Sequence, residues 1–152
     1  MILIQECNLF ILKSKFGYMK NIYYLIWVDG IVNSKDYKKK DPTWKFTLFL
    51  ILTICNAINM YTIYLWIKFT GMFSYLISVA FFSNPIVNSV TGFVLQFASP
   101  FVVLNYFLIF HKERYKSLIE KYQHRNGKLA MIYLVISVLI WFGSIITYSS
   151  LC

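Results

Sequence analysis

Amide side chains inside long apolar stretches are the residues of this sequence whose chemistry is easiest to interpret. Asn56 lies at the middle of an uncharged run, with Thr53 three residues before it and Asn59 three residues after it. An amide surrounded by hydrocarbon needs a hydrogen-bond partner, so this spacing predicts contacts with a neighbouring helix. The alternative is that the same amides line a polar pore or pocket.

Polar residues also interrupt the two later apolar runs. Gln96 and Asn105 are nine residues apart, which places them on opposite faces of a helix that Pro100 would bend. Ser137 and Ser144 are seven residues apart and share one face. Opposite polar faces suit a helix between two partners, so we expect an interhelical hydrogen-bond network that fits a homo-oligomer without requiring one. The candidates for helix–helix or pore contacts are Asn56, Asn59, Gln96 and Asn105.

Ionisable residues after the second apolar run offer the nearest approach to a metal or catalytic site. Glu120 and His124 are four residues apart and could supply two metal ligands, to which His111 and Glu113 could add more. The plainer interpretation is a surface helix with ion pairs beside lipid headgroups. The sequence contains no nucleophile elbow, phosphate loop or HExxH motif. It therefore assigns no catalytic, cofactor-binding or metal-binding residue.

Three uncharged stretches must position these residues. Phe46–Ile67 holds 22 residues, which as a helix would be about 33 Å long and would cross a bilayer. Val87–Phe110 and Leu129–Tyr148 are similar. Hydrophobic residues make up 59% of the chain and charged residues 14%, which is not the composition of a water-soluble domain. We predict an all-α integral membrane protein with three transmembrane helices.

The segment 69–86 leaves two interpretations open. Phe69–Ser83 is a further span, or it is an amphipathic stretch in the outer interface. Its 15 residues give a helix of about 22 Å, short of a hydrocarbon core of about 30 Å. Thr70, Ser74 and Ser78 recur every four residues, which favours the amphipathic interpretation.

The positions of the basic residues decide between three and four spans. With three spans, all 15 lysines and arginines except Lys68 lie on one side. The positive-inside tendency makes that side the cytoplasm. We therefore expect a bacterial inner-membrane protein with a cytoplasmic N-terminus, a C-terminus outside and anionic headgroups as a partner. The same distribution argues against nucleic acid as a partner, because the charges flank apolar runs and form no continuous basic face.

The N-terminal segment 1–45 is too interrupted by lysines to span a bilayer. Its longest uncharged run is Asn21–Val28. Within the N-terminal segment, the residues Ile22–Val32 predict a short aromatic-rich helix, which either lies in the headgroup region or packs against the other helices. Met19 resembles a natural translation start, so residues 1–18 could be an upstream extension of the reading frame.

The segment 111–128 predicts a basic cytoplasmic surface helix. Because the last span begins directly after it, this helix must lie along the membrane or fold back. Lying flat, it would turn Tyr115 and Leu118 towards acyl chains. Its apolar stripe consists of Tyr115, Leu118, Ile119 and Tyr122. The candidates for headgroup contacts are Arg114, Lys116, Lys121 and Arg125.

Three stretches resemble small uncharacterised multi-span membrane proteins of Bacteroidota. They are KNIYYLIWVDGIV, DPTWKFTLFLILTICNAINMYTIYLWIKF and FVLQFASPFVVLNYFLIFHKERYKSLIEKYQHRNGK. The resemblance covers roughly residues 19–150, and residues 1–18 fall outside it. It implies a helical membrane protein and transfers no activity and no site residue.

Three functional hypotheses follow from the sequence. The first is a non-enzymatic membrane protein that assembles with itself or with a partner membrane protein, without a cofactor. The second is an oligomeric channel or membrane-perturbing effector lined by the amides. The third is a lipid-handling enzyme that uses the helix between His111 and His124.

Overall fold

The computed structural model describes residues 22–71, 79–122 and 128–151, and every regular element in these ranges is helical. Three helices are long and apolar enough to cross a membrane: Thr43–Phe69, Pro85–Lys121 and Lys128–Ser150. The predicted all-α class with three membrane-spanning helices is confirmed. The predictions for residues 1–18, for Ser74 and Ser78, and for His124 and Arg125 concern residues outside the described ranges.

The first spanning helix, α3, covers Thr43–Phe69 and extends the predicted span by a few residues at each end. Asp41 caps the start of this helix, because its Oδ1 accepts a hydrogen bond of 2.9 Å from the Thr43 N–H. The helix ends where Gly71 adopts a left-handed φ of 73°. Two short helices precede it: α1 is Ile22–Asn33 and α2 is Lys35–Lys38.

The second spanning helix is irregular. Asn84 caps its start by accepting a hydrogen bond of 2.9 Å from the Ile86 N–H, and Pro85 takes the first helical position. Pro100 has no N–H to donate to the carbonyl of Gln96, which accounts for a π-helical stretch just before it. The successive segments are α4 Pro85–Phe93, a π-helix Val94–Ala98, α5 Ser99–Asn105 and a second π-helix Tyr106–Phe110.

A sharp turn follows Phe110. Lys112 and Glu113 both adopt left-handed backbone angles, with φ of 52° and 55°, and the chain then enters α6, Arg114–Lys121. The sequence predicts one basic helix here, but the structure divides it at this turn. The turn folds α6 back onto the bundle and buries Tyr115, which is 7% exposed. The expectation that Tyr115 faces acyl chains is therefore corrected.

Helix α1 packs inside the bundle, which is the second of the two interpretations that the sequence allows. Trp27, Val28 and Ile31 are at most 1% exposed. Gly30 permits a close approach, because a Cβ atom there would lie 3.0 Å from Leu48 of α3. The surrounding core also includes Trp44, Leu52, Ile109, Tyr115 and Ala130.

The last spanning helix, α7, covers Lys128–Leu151 and packs mainly along α3. A second, smaller core lies between α3 and the first π-helix. It consists of Ala57, Tyr64, Phe97 and Ala98, with Tyr61 and Phe93 packed against it.

Candidate functional site

A chain of hydrogen bonds links four helices through the middle of the bundle. Asn56 of α3 donates from Nδ2 to the hydroxyl of Tyr23 over 3.2 Å. The same amide accepts on Oδ1 a bond of 2.5 Å from the hydroxyl of Tyr133. Because Tyr23 belongs to α1 and Tyr133 to α7, Asn56 ties its own helix to two others.

Asn105 of α5 extends this chain. Its side chain is fully buried, at 0% exposure. The Tyr23 hydroxyl donates to its Oδ1, and its Nδ2 donates to Oγ1 of Thr53 over 2.8 Å. The Tyr23 hydroxyl is therefore held between two amides, and the donors from Tyr133 to Thr53 all point in one direction.

A polar seam continues along α3 and α7. Asn59 donates to the Tyr133 hydroxyl over 2.9 Å and to Ser137 Oγ over 3.0 Å. Further along, Trp66 donates from Nε1 to Ser144 Oγ over 3.0 Å. The two serines share a face, as their seven-residue spacing predicts, and that face is turned towards α3.

The network brings together three of the four amides that the sequence singles out. Asn56 and Asn105 are buried, and Asn59 is half-buried in the α3–α7 seam. Gln96 is half-buried in the first π-helix and has a contact of its own. Amides relay no protons at neutral pH, so this arrangement can fix the relative positions of helices but cannot conduct protons along its length.

Sequence reasoning missed the two tyrosines that connect these amides. Tyr23 lies in an aromatic-rich stretch and Tyr133 near the start of the last apolar run, and tyrosine at such positions is usually assigned to the membrane interface. The available signal was that a buried tyrosine needs a partner for its hydroxyl, and the nearby apolar stretches offer amides. Nothing in the sequence indicates which amide each tyrosine reaches.

Asp29 is a second functional group that the sequence analysis missed. Its carboxylate is buried in the bundle, at 2% exposure, and Oδ2 accepts a hydrogen bond of 3.1 Å from the Ala130 N–H. Asn33 donates from Nδ2 to the Asp29 carbonyl oxygen over 2.9 Å. Ala130 lies in the first turn of α7, where free N–H groups and the helix dipole favour a negative charge. Asp29 thus fastens α1 to the start of α7.

An apolar groove of about 730 Å³ opens between α3, α4 and α7. Among the described residues, two buried side-chain polar atoms lack a hydrogen-bond partner, the Tyr64 hydroxyl and the Trp141 indole N–H. Trp141 lines the groove, and Tyr64 packs against Tyr61 and Phe97, which line it too. The other lining residues include Ile54, Ile58, Val79, Asn88, Val90 and Phe93.

A second pocket, of about 520 Å³, lies where α2, the start of α3 and α6 meet. It combines aromatic rings with lysines. Lys45 Nζ lies 5.2 Å from the ring centroid of Tyr115 and 5.9 Å from that of Trp44. The lining residues are Tyr37, Lys38, Lys40, Pro42, Trp44, Lys45 and Tyr115.

The predicted headgroup contacts on α6 are engaged with their own chain to different degrees. Lys116 forms an ion pair of 2.6 Å with Glu113 while both side chains remain more than half exposed. Arg114 approaches the Phe107 carbonyl at 3.4 Å. Lys121 lies 5.6 Å from the ring centroid of Tyr122.

Of the side chains in the histidine-based metal hypothesis, His111, Glu113 and Glu120 lie in the described ranges, and His124 lies outside them. Within residues 22–71, 79–122 and 128–151, no group of three His, Cys, Asp or Glu side chains is placed to hold a metal ion. His111 packs against aromatic rings, 5.5 Å from Phe107 and 6.2 Å from Tyr106 between centroids.

Comparison with known proteins adds no relative. No family model, no curated protein and no solved structure matches this chain. The resemblance to membrane proteins of Bacteroidota therefore stays a prediction. The chain is characterised by its own architecture, which is three helices of membrane-spanning length enclosing a short buried helix that a polar network holds in place.

Proposed function

We propose that this chain is a non-enzymatic membrane protein that acts as an assembly in the bilayer, with a second copy of itself seated against the groove between α3, α4 and α7. The observation that carries the proposal is the open apolar groove of about 730 Å³ between these helices. Trp141 lines the groove and Tyr64 belongs to the aromatic cluster that forms one wall. An unfilled apolar groove lacks van der Waals contacts, so the apolar side chains of an incoming helix would stabilise this region by filling it.

The shape of the surface beside the groove supports a second copy as the occupant. Ile86, Val90 and Val94 follow each other at four-residue spacing, and all are at least 48% exposed. They form an apolar ridge along the edge of the groove, and Val90 of this ridge also lines the groove. In a two-fold dimer each copy presents both features, so the ridge of one copy can fill the groove of the other.

The exposure of the spanning helices is consistent with a second copy at the groove, because α7, which forms part of it, is little buried within one copy. In α7 only 17% of the most apolar stretch is buried, compared with 44% in α3. The polar groups that would otherwise favour assembly, such as Asn56 and Asn105, already bond within the chain. Their packing also favours assembly over a channel, because a pore lined by these amides would require the central network to open.

The proposal includes an orientation in a bacterial inner membrane. The lysines of α2 and the basic residues of α6 lie at one end of the bundle, since Trp44 and Tyr115 are 5.3 Å apart between ring centroids. A shared basic end is expected to face the cytoplasm. A cysteine at Ser117 that reacts with a membrane-impermeant reagent from the outside would overturn this orientation.

Photo-crosslinking tests the assembly. Benzoylphenylalanine replaces either Val90, which lines the groove and is 57% exposed, or Val103, which is 55% exposed on α5 and does not line it. The two positions are matched in residue type and exposure. We expect position 90 to give a product of twice the monomer mass, identified by mass spectrometry as two copies of this chain, with at least fivefold higher yield than position 103.

Other outcomes contradict the proposal in different ways. If position 90 crosslinks only to a different protein, the groove is occupied by that partner protein and not by a second copy. Crosslinks to lipid alone, together with a strictly monomeric mass in mild detergent, would refute assembly. Equal yields at positions 90 and 103 would mean that the groove is not the contact surface.

A further inference from the structure

We propose that the pocket between α2, the start of α3 and α6 binds the phosphate of an anionic phospholipid. The site differs from the headgroup contacts that the sequence predicts, which all lie on α6 or beyond it. Its cationic residues are Lys38, Lys40 and Lys45. This inference is independent of the proposed assembly, because the pocket and the groove share no lining residue.

The charge of the pocket favours an anion. Three lysines line it, and in the part of the chain that the structure describes no carboxylate does. Glu113, on the α6 side, is paired with Lys116 at 2.6 Å and also interacts electrostatically with Lys45. Asp41 caps the Thr43 N–H on the other side and offsets part of the positive end of α3. The lysines therefore carry most of the attraction.

The aromatic wall gives the pocket a fixed shape. Trp44 is 4% exposed and Tyr115 is 7% exposed, and both are held in the core. Tyr37 packs edge-on against Trp44 with 5.2 Å between the ring centroids. Lys45 lies over two of these rings, so its ammonium group is partly ordered before a ligand arrives. Such preorganisation lowers the entropy that binding would cost.

The surroundings identify a lipid as the source of the phosphate. Trp44 and Lys45 stand at the start of the spanning helix, where aromatic and basic residues mark the membrane interface. Directly beyond them the apolar part of α3 begins, and its exposed side chains include Phe46 and Leu50. A phosphate held by the lysines would therefore lie at the depth where acyl chains begin. A soluble phosphate would gain nothing from these side chains.

Native mass spectrometry of the full-length chain tests the proposal. The protein, in a mild non-ionic detergent, is given equal amounts of phosphatidylglycerol and phosphatidylcholine, and the retained lipids are counted. The pocket variant combines Lys38→Gln, Lys40→Gln and Lys45→Gln. We expect its preference for phosphatidylglycerol to fall about tenfold, since each basic residue near a membrane surface contributes appreciably to binding anionic lipid.

A charge-matched control separates a defined site from general electrostatics. It combines Lys35→Gln, Lys39→Gln and Lys128→Gln, which remove the same charge from exposed positions that do not line the pocket. We expect this control to stay within twofold of the original preference. Equal losses in the two variants would overturn the proposal, because the attraction would then be diffuse.

Two further arms keep the result interpretable. In the first, inorganic phosphate is added to the unmodified protein. If phosphate displaces phosphatidylglycerol when the two are at equal concentration, the site is one for free phosphate and the lipid assignment is overturned. Phosphatidylcholine retention and helix content measured by circular dichroism report whether the pocket variant is folded. If it is not, Lys38→Gln with Lys40→Gln is used, because both side chains are exposed and Lys45 remains on its rings. An unchanged preference in that folded variant would also refute the proposal.

Discussion

Replacing Asp29 with leucine tests how α1 is held in the bundle. The substitution keeps a side chain of similar size and removes the acceptor that the Ala130 N–H uses over 3.1 Å. The position is 2% exposed, so water cannot take the place of the carboxylate. We expect the chain to lose stability because the first turn of α7 then has a buried N–H without a partner.

The magnitude follows from the kinds of interaction that are lost. A hydrogen bond to a charged group contributes about 1.5–3 kcal/mol net, a value that already includes desolvation. A negative charge at a partly buried helix N-terminus adds up to about 2 kcal/mol. We therefore expect Asp29→Leu to lower the free energy of unfolding by about 2–4 kcal/mol. Asp29→Asn keeps an oxygen acceptor without the charge, so its loss should be about half as large.

Reversible unfolding in mixed micelles, titrated with sodium dodecyl sulfate, measures these differences. Asp36→Leu serves as the control, because Asp36 lies on the short helix α2 and is more exposed than Asp29. The control should change the free energy of unfolding by less than about 0.5 kcal/mol. The reasoning fails if Asp29→Leu is as stable as the original chain, or if Asp36→Leu is equally destabilising.

Three further predictions concern other parts of the fold. Tyr23→Phe and Asn105→Leu should be coupled by about 0.6–1.7 kcal/mol in a double-mutant cycle, because their side chains share a buried hydrogen bond; additive effects would contradict the network. Lys112→Gly should stabilise the chain by about 0.5–1 kcal/mol by relieving a left-handed φ of 52°, and a destabilised variant would contradict this. The Thr43 N–H holds the pKa of Asp41 below its ordinary value. The cap therefore contributes fully above the unfolded-state pKa and is lost as the pH falls through the folded-state pKa. The protection factor of the Thr43 N–H, the ratio of its intrinsic to its observed exchange rate at each pH, should therefore fall in acid, and Asp41→Asn should abolish that fall.

The spanning helices were predictable because their signal is local. A run such as Phe46–Ile67 contains no charge, and a spanning helix needs little beyond that. The ends moved by two or three residues, since Asp41 caps the helix before the apolar run begins. The bend expected at Pro100 appears as a π-helix, whereas the second π-helix, Tyr106–Phe110, has no counterpart in the sequence pattern.

The position of α1 was not predictable because its signal is distant. A stretch of 12 residues that contains an aspartate resembles an interfacial helix. What allows this aspartate to be buried is a hydrogen bond from the Ala130 N–H, which lies 101 residues later in the chain. The pocket proposed to bind a phospholipid was not predictable for the same reason, because its walls include Trp44 and Tyr115, which are distant in the sequence. No periodicity within one helix indicates that these two rings meet.

The sequence distance between α1 and its partners has a consequence for biosynthesis. Helix α1 leaves the ribosome before any of the helices that surround it. Tyr23 meets Asn105 only when α5 has followed, and Asp29 meets the Ala130 N–H only when α7 has followed. During this interval both polar side chains require another environment, such as interfacial water, the insertion machinery or a chaperone. Completion of the last span is therefore the event that closes the fold. A chain truncated before α7 would leave the Asp29 carboxylate without the Ala130 N–H.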